Sequence, residues 1–208
     1  MKKIPQKTIA RALLYIRTLE GLAKRQQKFV SSEQLARLTG FTAVQIRKDI
    51  SSFGKVGTPR IGYRARELKN VLEDFILQDH KVLVVLFGVG NLGTAILKYP
   101  GFHRDRVRIV AAFDTAPQKI GKKINGVTVY PFRRAPEIIL KTRAKLGILA
   151  VPKERCQEVA DFMAAVGLRG IVNFAPASVM VPSSMRVKDI DLTVEFLSLF
   201  CDVQSCTV

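Results

Sequence analysis

Apolar positions along the first third of the chain recur three or four apart. Ile9, Ala12, Leu13, Ile16, Leu19 and Ala23 predict a long helix that starts after Ile4-Pro5 and ends near Lys24 to Gln27. Ser31-Ser32-Glu33-Gln34 then reads as a capping box with Ser31 as N-cap, opening a short helix that buries Leu35 and Leu38 and stops at Thr39-Gly40. A second box, Thr42-Ala43-Val44-Gln45, opens another helix through Phe53, with Val44, Ile46, Ile50 and Phe53 turned inward. Two short capped helices joined by a glycine-containing turn predict a helix-turn-helix. Gly54 to Tyr63 is punctuated by glycines like a β-hairpin wing, and Ala65 to Leu77 returns to helical spacing with Leu68, Val71, Leu72, Phe75 and Ile76 on one side.

After the polar joint Gln78-Asp79-His80 the pattern changes. Lys81-Val-Leu-Val-Val-Leu-Phe87 is a continuous β-branched and aliphatic run, read as a strand buried on both faces. It runs into Gly88-Val89-Gly90-Asn91-Leu92-Gly93 and a helix to Lys98 with Leu92, Ala95 and Ile96 on one side. A second strand, Val107 to Phe113, ends in Asp114, and a loop with a short extended segment follows to Val127. Helices over 135–143 and 154–166 alternate with strands over 145–151 and 170–176, and a short strand covers 187–190. Asp191 to Asp202 is a last helix with Leu192, Phe196, Leu199 and Phe200 along one stripe, apolar enough to require packing on its own sheet or on a partner subunit. The expected architecture is α/β: a winged-helix domain over 1–78, a doubly wound Rossmann-type domain over 79–190, and a C-terminal dimerisation helix over 191–208.

Composition narrows the class. Hydrophobic residues make up 48% of the 208, as in a globular protein. The longest apolar run, Val82 to Gly90, is far short of the ~20 residues a bilayer span needs. Arg11, Arg17 and Glu20 interrupt any signal-peptide core behind Met1-Lys2-Lys3. Cys156, Cys201 and Cys206 form no C-x-x-C pair, and an odd count argues against a disulfide framework, so a cytoplasmic protein is expected. The net charge of +17 is unevenly spread: residues 1–70 hold 16 Lys+Arg against 4 Asp+Glu, the rest 18 against 13. That asymmetry predicts a polyanion-binding module joined to another domain.

The helix-turn-helix supplies the candidate contacts. Thr42, Gln45, Arg47 and Lys48 lie on the N-terminal and outer surface of the second helix, the part that enters a major groove, with Ser31 and Ser32 beside them. Gln45 can read adenine and Arg47 guanine, or either can hold phosphate. Lys55 is placed to touch phosphate, and Arg60 at the wing tip to reach a minor groove. In the second domain the glycine triplet sits between strand and helix, the context in which G-x-G-x-x-G has meaning. Gly88 permits the turn, Gly90 a close approach to a pyrophosphate, and Gly93 tight helix–strand packing, while Val89, Asn91 and Leu92 complete the loop. The helix N-terminus favours the ligand's negative charge. Asp114, 21 residues after Gly93, is placed to hydrogen-bond an adenosine ribose and to repel a 2′-phosphate, favouring NAD over NADP, although Lys119, Lys122 and Lys123 weaken that preference. Ile120 is placed to cover an adenine face. Val151, Pro152, Asn173 and Phe174 lie at strand ends facing the ligand crevice, Asn173 as a ligand-side group. No catalytic or metal-ligating set is predicted.

Several motifs fall together in order: Ser31-Ser32-Glu33, Gln45-x-Arg47-Lys48-Asp49, Phe53-Gly54-x-x-Gly57, Gly62-Tyr63, the glycine loop, Tyr99-Pro100-Gly101-Phe102 and Asn173-Phe174-Ala175-Pro176. Over essentially its whole length the chain resembles the bacterial redox-sensing repressors of the Rex family. The resemblance implies a homodimer with exchanged C-terminal helices that binds double-stranded operator DNA when NAD⁺ prevails and releases it when NADH accumulates. It also implies that Tyr99 and Asp191 lie near the nicotinamide and that Arg17 belongs to a network joining the two domains. The wing departs from the family's usual Gly-Thr-Arg-Gly-x-Gly-Tyr, since Gly57-Thr58-Pro59-Arg60-Ile61-Gly62-Tyr63 shifts the arginine by one place. Two other readings compete. One is an NAD-dependent oxidoreductase with a basic N-terminal extension, whose only histidines would be His80 and His103; the other is a repressor that senses a different nucleotide such as coenzyme A.

Overall fold

The computed structural model describes residues 4–58, 61–77, 81–102 and 106–205. The chain divides into two compact units, Met1–His80 and Lys81–Val208.

In the first unit α1 (Gln6–Lys24), β1 (Phe29–Val30), α2 (Ser32–Thr39), α3 (Ala43–Ser51), β2 (Tyr63–Arg64) and α4 (Ala65–Leu77) enclose a core that includes Tyr15, Leu19, Leu35, Ile46, Ile50, Leu68 and Leu72. α1 buries Thr8, Ala12, Tyr15, Ile16, Leu19 and Leu22, an unbroken helical stripe. Leu13, expected inside, falls off that stripe and is exposed; Ala23 lies on the stripe's side but in the last turn of the helix, and it too is exposed. Val44 corrects in the same way: Ile46 and Ile50 define the buried side of α3, and Val44 lies opposite, 68% exposed. Leu38 is half exposed in the last turn of α2. Both short helices start as their capping boxes predict, with Ser31 Oγ accepting the Gln34 N–H at 3.1 Å and Thr42 Oγ1 the Gln45 N–H at 3.2 Å. Phe29 and Val30 pair antiparallel with Arg64 and Tyr63, and a Thr58–Gly62 bridge closes the wing. Gly62 has φ +95°, and a Cβ there would stand 2.6 Å from the Val30 carbonyl oxygen. Arg60, the expected wing-tip contact, lies outside the described residues, as do His80, His103 and Cys206.

The second unit is built on β3 (Val82–Phe87), α5 (Asn91–Lys98), β4 (Val107–Asp114), β5 (Lys123–Ile124), β6 (Val127–Pro131), α6 (Ala135–Thr142), β7 (Leu146–Leu149), α7 (Cys156–Ala165), β8 (Gly170–Asn173), β9 (Arg186–Asp189) and α8 (Leu192–Ser205). The sheet runs β5-β6-β4-β3-β7-β8-β9, parallel throughout except for β5. β6 has no counterpart in the sequence reading, which ends its short extended segment at Val127. Only Val127 and Val129 of its five residues are buried, too brief an alternation to stand out from a loop. Its place beside β4 completes three strands on one side of the switch between β3 and β7, which leaves a crevice at their carboxyl ends.

α8 buries none of its described side chains, and Leu192, Val194, Phe196, Leu197, Leu199, Phe200 and Val203 are each 58–71% exposed. The expected stripe is present, but Val194 and Leu197 add a second apolar side, and packing on the chain's own sheet is not what the structure shows. A helix that is apolar on both sides needs a buried setting. Among the described residues no helix is long and apolar enough to cross a membrane.

Candidate functional sites: a basic reading surface and a glycine crevice

α3 presents Val44, Arg47 and Lys48 outward while Ile46, Asp49 and Ile50 are buried. Its orientation is fixed by one carboxylate. Asp49, 2% exposed, accepts from Arg11 Nε (2.6 Å) and the Tyr15 hydroxyl (2.8 Å) on Oδ2, and from Arg11 Nη2 and Gln45 Nε2 (2.8 Å each) on Oδ1. Burial opposes ionisation there, but these four donors outweigh it and hold the Asp49 carboxyl below the usual aspartate range. Burial and the bond to Asp49 raise the Tyr15 phenol well above its ordinary value, so it remains a donor. Gln45, expected to face DNA freely, therefore has one amide N–H committed to its own helix.

Arg47 is also engaged. Its Nη1 donates to Ser32 Oγ and Glu33 Oε1, both at 2.8 Å. The N-terminal backbone of α2, the Ser31 hydroxyl and Arg47 bring the Glu33 carboxyl down to about 2. The Arg47–Glu33 pair is more than half exposed on both sides, the kind of ion pair that contributes at most ~1 kcal/mol and is readily exchanged. These groups, with Ser31, Val56, Gly57, Thr58, Ile61, Gly62 and Tyr63, line a concavity of about 430 Å³ between the wing and α2. Thr42, Lys48 and Lys55 are exposed.

The crevice of the second unit has a volume of about 350 Å³ and is lined by Gly88, Gly90, Asp114, Lys119, Val151 and Pro152 from the expected set. Thr115, Ala116, Phe132, Ala150, Arg155 and Val159 complete it. Thr115 and Ala116 adjoin Asp114 and follow from its position; Phe132 could not be foreseen without β6. Gly88 has φ +93°, and a Cβ on it would overlap the Ala150 carbonyl oxygen. A Cβ on Gly93 would overlap the Gly88 carbonyl oxygen, so α5 packs directly on the turn, whereas a Cβ on Gly90 would meet open space. Gly90 caps α5 without any side-chain hydrogen bond, leaving first-turn N–H groups to face an anion.

Asp114 closes the other end. Its Oδ2 accepts the Val89 N–H at 2.8 Å and Lys119 Nζ at 3.1 Å, and its Oδ1 the Ala116 N–H at 2.8 Å. Burial would raise this carboxyl, but the two backbone donors and the ammonium prevail and hold it below the usual range.

Other expected residues stand apart from this lining. Val89 is buried, Asn91 and Leu92 are exposed on α5, and Ile120 and Phe174 are half-buried. Asn173 corrects the expectation of a ligand-side group. It is 1% exposed and turned into the strand ends, its Nδ2 donating to the Ala177 carbonyl and Asp189 Oδ1 and its Oδ1 accepting the Ala175 N–H. A buried amide must satisfy its groups internally, and here that fastens the β8 end to β9. Tyr99 is 58% exposed, edge-on to Phe102. Asp191 is exposed and accepts the Thr193 N–H at the start of α8, and Arg17 is exposed on α1.

Two family models match the chain: a putative DNA-binding protein N-terminus over residues 3–51 and a CoA binding domain over 78–177. Among curated proteins, the redox-sensing transcriptional repressor Rex of Pelotomaculum thermopropionicum is 40% identical over 192 residues, covering 92% of this chain and 90% of that protein. The protein of the same name from Carboxydothermus hydrogenoformans is 39% identical over 192 residues, covering 92% of each. Among solved structures, the repressor RSP in complex with β-NAD⁺ and operator DNA superposes with a TM-score of 0.84 at 31% identity, covering 99% of this chain and 94% of that one. RSP in complex with β-NADH gives 0.84 at 30% identity over 99% and 96%.

Proposed function

The chain belongs to the Rex family of redox-sensing transcriptional repressors, and from that membership we propose that it acts as a homodimer whose two α3 helices hold a palindromic operator when NAD⁺ or no nucleotide is bound and release it on binding NADH. The observation that carries this reading is the open α5 N-terminus facing Asp114 across one crevice, in the same chain as an α3 helix with Arg47 and Lys48 outward. The dinucleotide is a sensed ligand and is not consumed. The coenzyme A alternative is not favoured, because relatives over most of the chain are named redox-sensing repressors and the similar repressor structures hold β-NAD⁺ and β-NADH.

Arg47 exchanges Glu33 for DNA, and Lys48 and Lys55 take phosphates with Ser31, Ser32 and Thr42; Arg60 reaches the minor groove. Gln45 reads a base with its carbonyl and remaining N–H. Gly88 to Gly93 cradle the pyrophosphate, Asp114 takes the adenosine ribose with Lys119 beside it at the edge of the crevice, and Ile120 covers the adenine. Val151, Pro152 and Phe174 flank the nicotinamide side, with Tyr99 and Asp191 near the ring and Arg17 in the coupling between units. NAD⁺ and NADH differ at that ring by one positive charge, which at ~6 Å and an effective dielectric of ~20 is worth about 3 kcal/mol. That supports discrimination of roughly a hundredfold. A ligand shifts an equilibrium only by its differential affinity for the two states, so the proposed release requires that the two states of the protein meet the ring's charge differently. We place the protein in the cytoplasm, beside the DNA it reads.

Titrating NADH into a gel shift on a palindromic operator tests the reading; loss of the shifted band is expected, and unchanged DNA affinity at saturating NADH refutes it. The dimer has its own check. Its support is the exposed apolar surface of α8. Ending the chain at residue 190 is expected to give a monomer by light scattering, with operator affinity reduced at least tenfold, because the two half-sites are then bound independently.

A further inference from the structure

Asp114 is more heavily engaged than a ribose-binding carboxylate needs to be. An ionised carboxylate offers about four acceptor sites. Among the described residues three are occupied: Oδ2 by the Val89 N–H and Lys119 Nζ, Oδ1 by the Ala116 N–H. One acceptor site remains, whereas the vicinal diol of a ribose brings two donors. Both backbone donors belong to the frame, since Val89 is in the glycine turn and Ala116 opens the following loop. Lys119 is the exchangeable partner, its side chain about one-third exposed. Its backbone is held in place, with the Lys119 N–H bonded to Ala116 O at 3.0 Å and the Gly121 N–H to Val129 O at 2.9 Å. The ammonium, once off Asp114, stays at the mouth of the same subsite.

We propose that Lys119 sets the selectivity of this crevice between a ribose with a free 2′-hydroxyl and one carrying a 2′-phosphate. Resting on Asp114, it competes with the diol of NAD(H) for the carboxylate. Displaced, it supplies a cation beside a 2′-phosphate and offsets the repulsion that Asp114 alone would impose. The pair is close to neutral, so Asp114 rejects NADP(H) less strongly than an unpaired carboxylate would. The inference rests on the nucleotide-sensing reading above and adds to it which group controls the choice of dinucleotide.

The test uses the full chain, with NADH binding followed by calorimetry and NADPH measured directly and by displacement of bound NADH up to millimolar concentration. Lys119→Gln is expected to bind NADH as tightly as the parent or several-fold tighter and NADPH roughly tenfold weaker, the scale of one charge removed within ~6 Å of a phosphate in a half-solvated site. Lys119→Arg, which keeps the charge, is expected to retain the parent ratio. A merely structural role would move both affinities together. An unchanged NADPH-to-NADH ratio in Lys119→Gln overturns the proposal, as does a parent protein from which millimolar NADPH displaces no NADH. Failure of the parent to bind NADH at all is a different result, and it removes the sensing reading along with the proposal.

Discussion

Asp49→Asn is expected to lower the melting temperature of the DNA-binding unit by roughly 10–20 °C, the largest effect of any single polar substitution there. An asparagine places an NH₂ group among donors from Arg11, Tyr15 and Gln45 and leaves the Arg11 guanidinium without its counter-ion. Breaking a buried ion pair from one side costs about 3–5 kcal/mol, and in a unit of this size each ~1 kcal/mol shifts the midpoint by about 4–8 °C. The lower end applies, because the Arg11 side chain is 22% exposed and part of its charge is solvated. Tyr15→Phe removes one bond only and should cost about 1 kcal/mol. Thermal unfolding followed by circular dichroism measures both. Acid provides an internal control. The Asp49 carboxyl titrates lower when folded than when unfolded, so its stabilisation is fully present above the ordinary aspartate value of about 4 and is lost as pH falls through the folded value. The gap between parent and Asp49→Asn should therefore narrow in acid; a gap that persists to the lowest pH at which the parent folds would contradict the ionised network.

Gly93→Ala is expected to separate reading from sensing. The added methyl meets the backbone oxygen of Gly88, which no side-chain rotation can relieve. α5 must move away from the turn or the turn must open, and either displaces the N–H groups that face the pyrophosphate. Forced overpacking of this kind costs about 1–3 kcal/mol, and the loss of aligned donors adds to it for the ligand. The expected result is NADH affinity reduced at least tenfold, operator binding in the absence of nucleotide retained, and a repressor that stays on DNA at NADH concentrations that release the parent. Calorimetry with NADH and gel shifts on the same preparation check this. Gly90→Ala is the informative comparison, because a Cβ there meets no protein atom, and any loss of NADH binding then reports the ligand's own approach.

The sequence showed its functional elements most clearly where local chemistry dictates geometry. Ser31 and Thr42 had to be caps because an oxygen three residues ahead of a backbone N–H is what a helix start requires, and both are. Gly88 and Gly93 were legible because a strand followed at once by a helix leaves no room for side chains at the turn. Features that depend on distant partners were not. Val44 and Leu13 are apolar but point outward, since the face a short helix buries is settled by neighbouring helices. β6 disappeared into a loop because its neighbour β4 supplies what its own five residues do not. Asn173 looked like a ligand group because polarity at a strand end has two explanations, and its partners, Ala177 and Asp189, become adjacent only in the fold. Asp49 was visible only as one letter of a motif; that it would gather four donors from two helices is a tertiary fact.

The seven wet aliphatic and aromatic side chains of α8 also bear on how much of this protein a cell must make. In the homodimer proposed above, while chains are scarce the population of pairs grows with the square of the number synthesised, so halving expression would cut the proposed DNA-competent form about fourfold. Operator occupancy should then respond steeply to gene dosage, independently of any change in coenzyme.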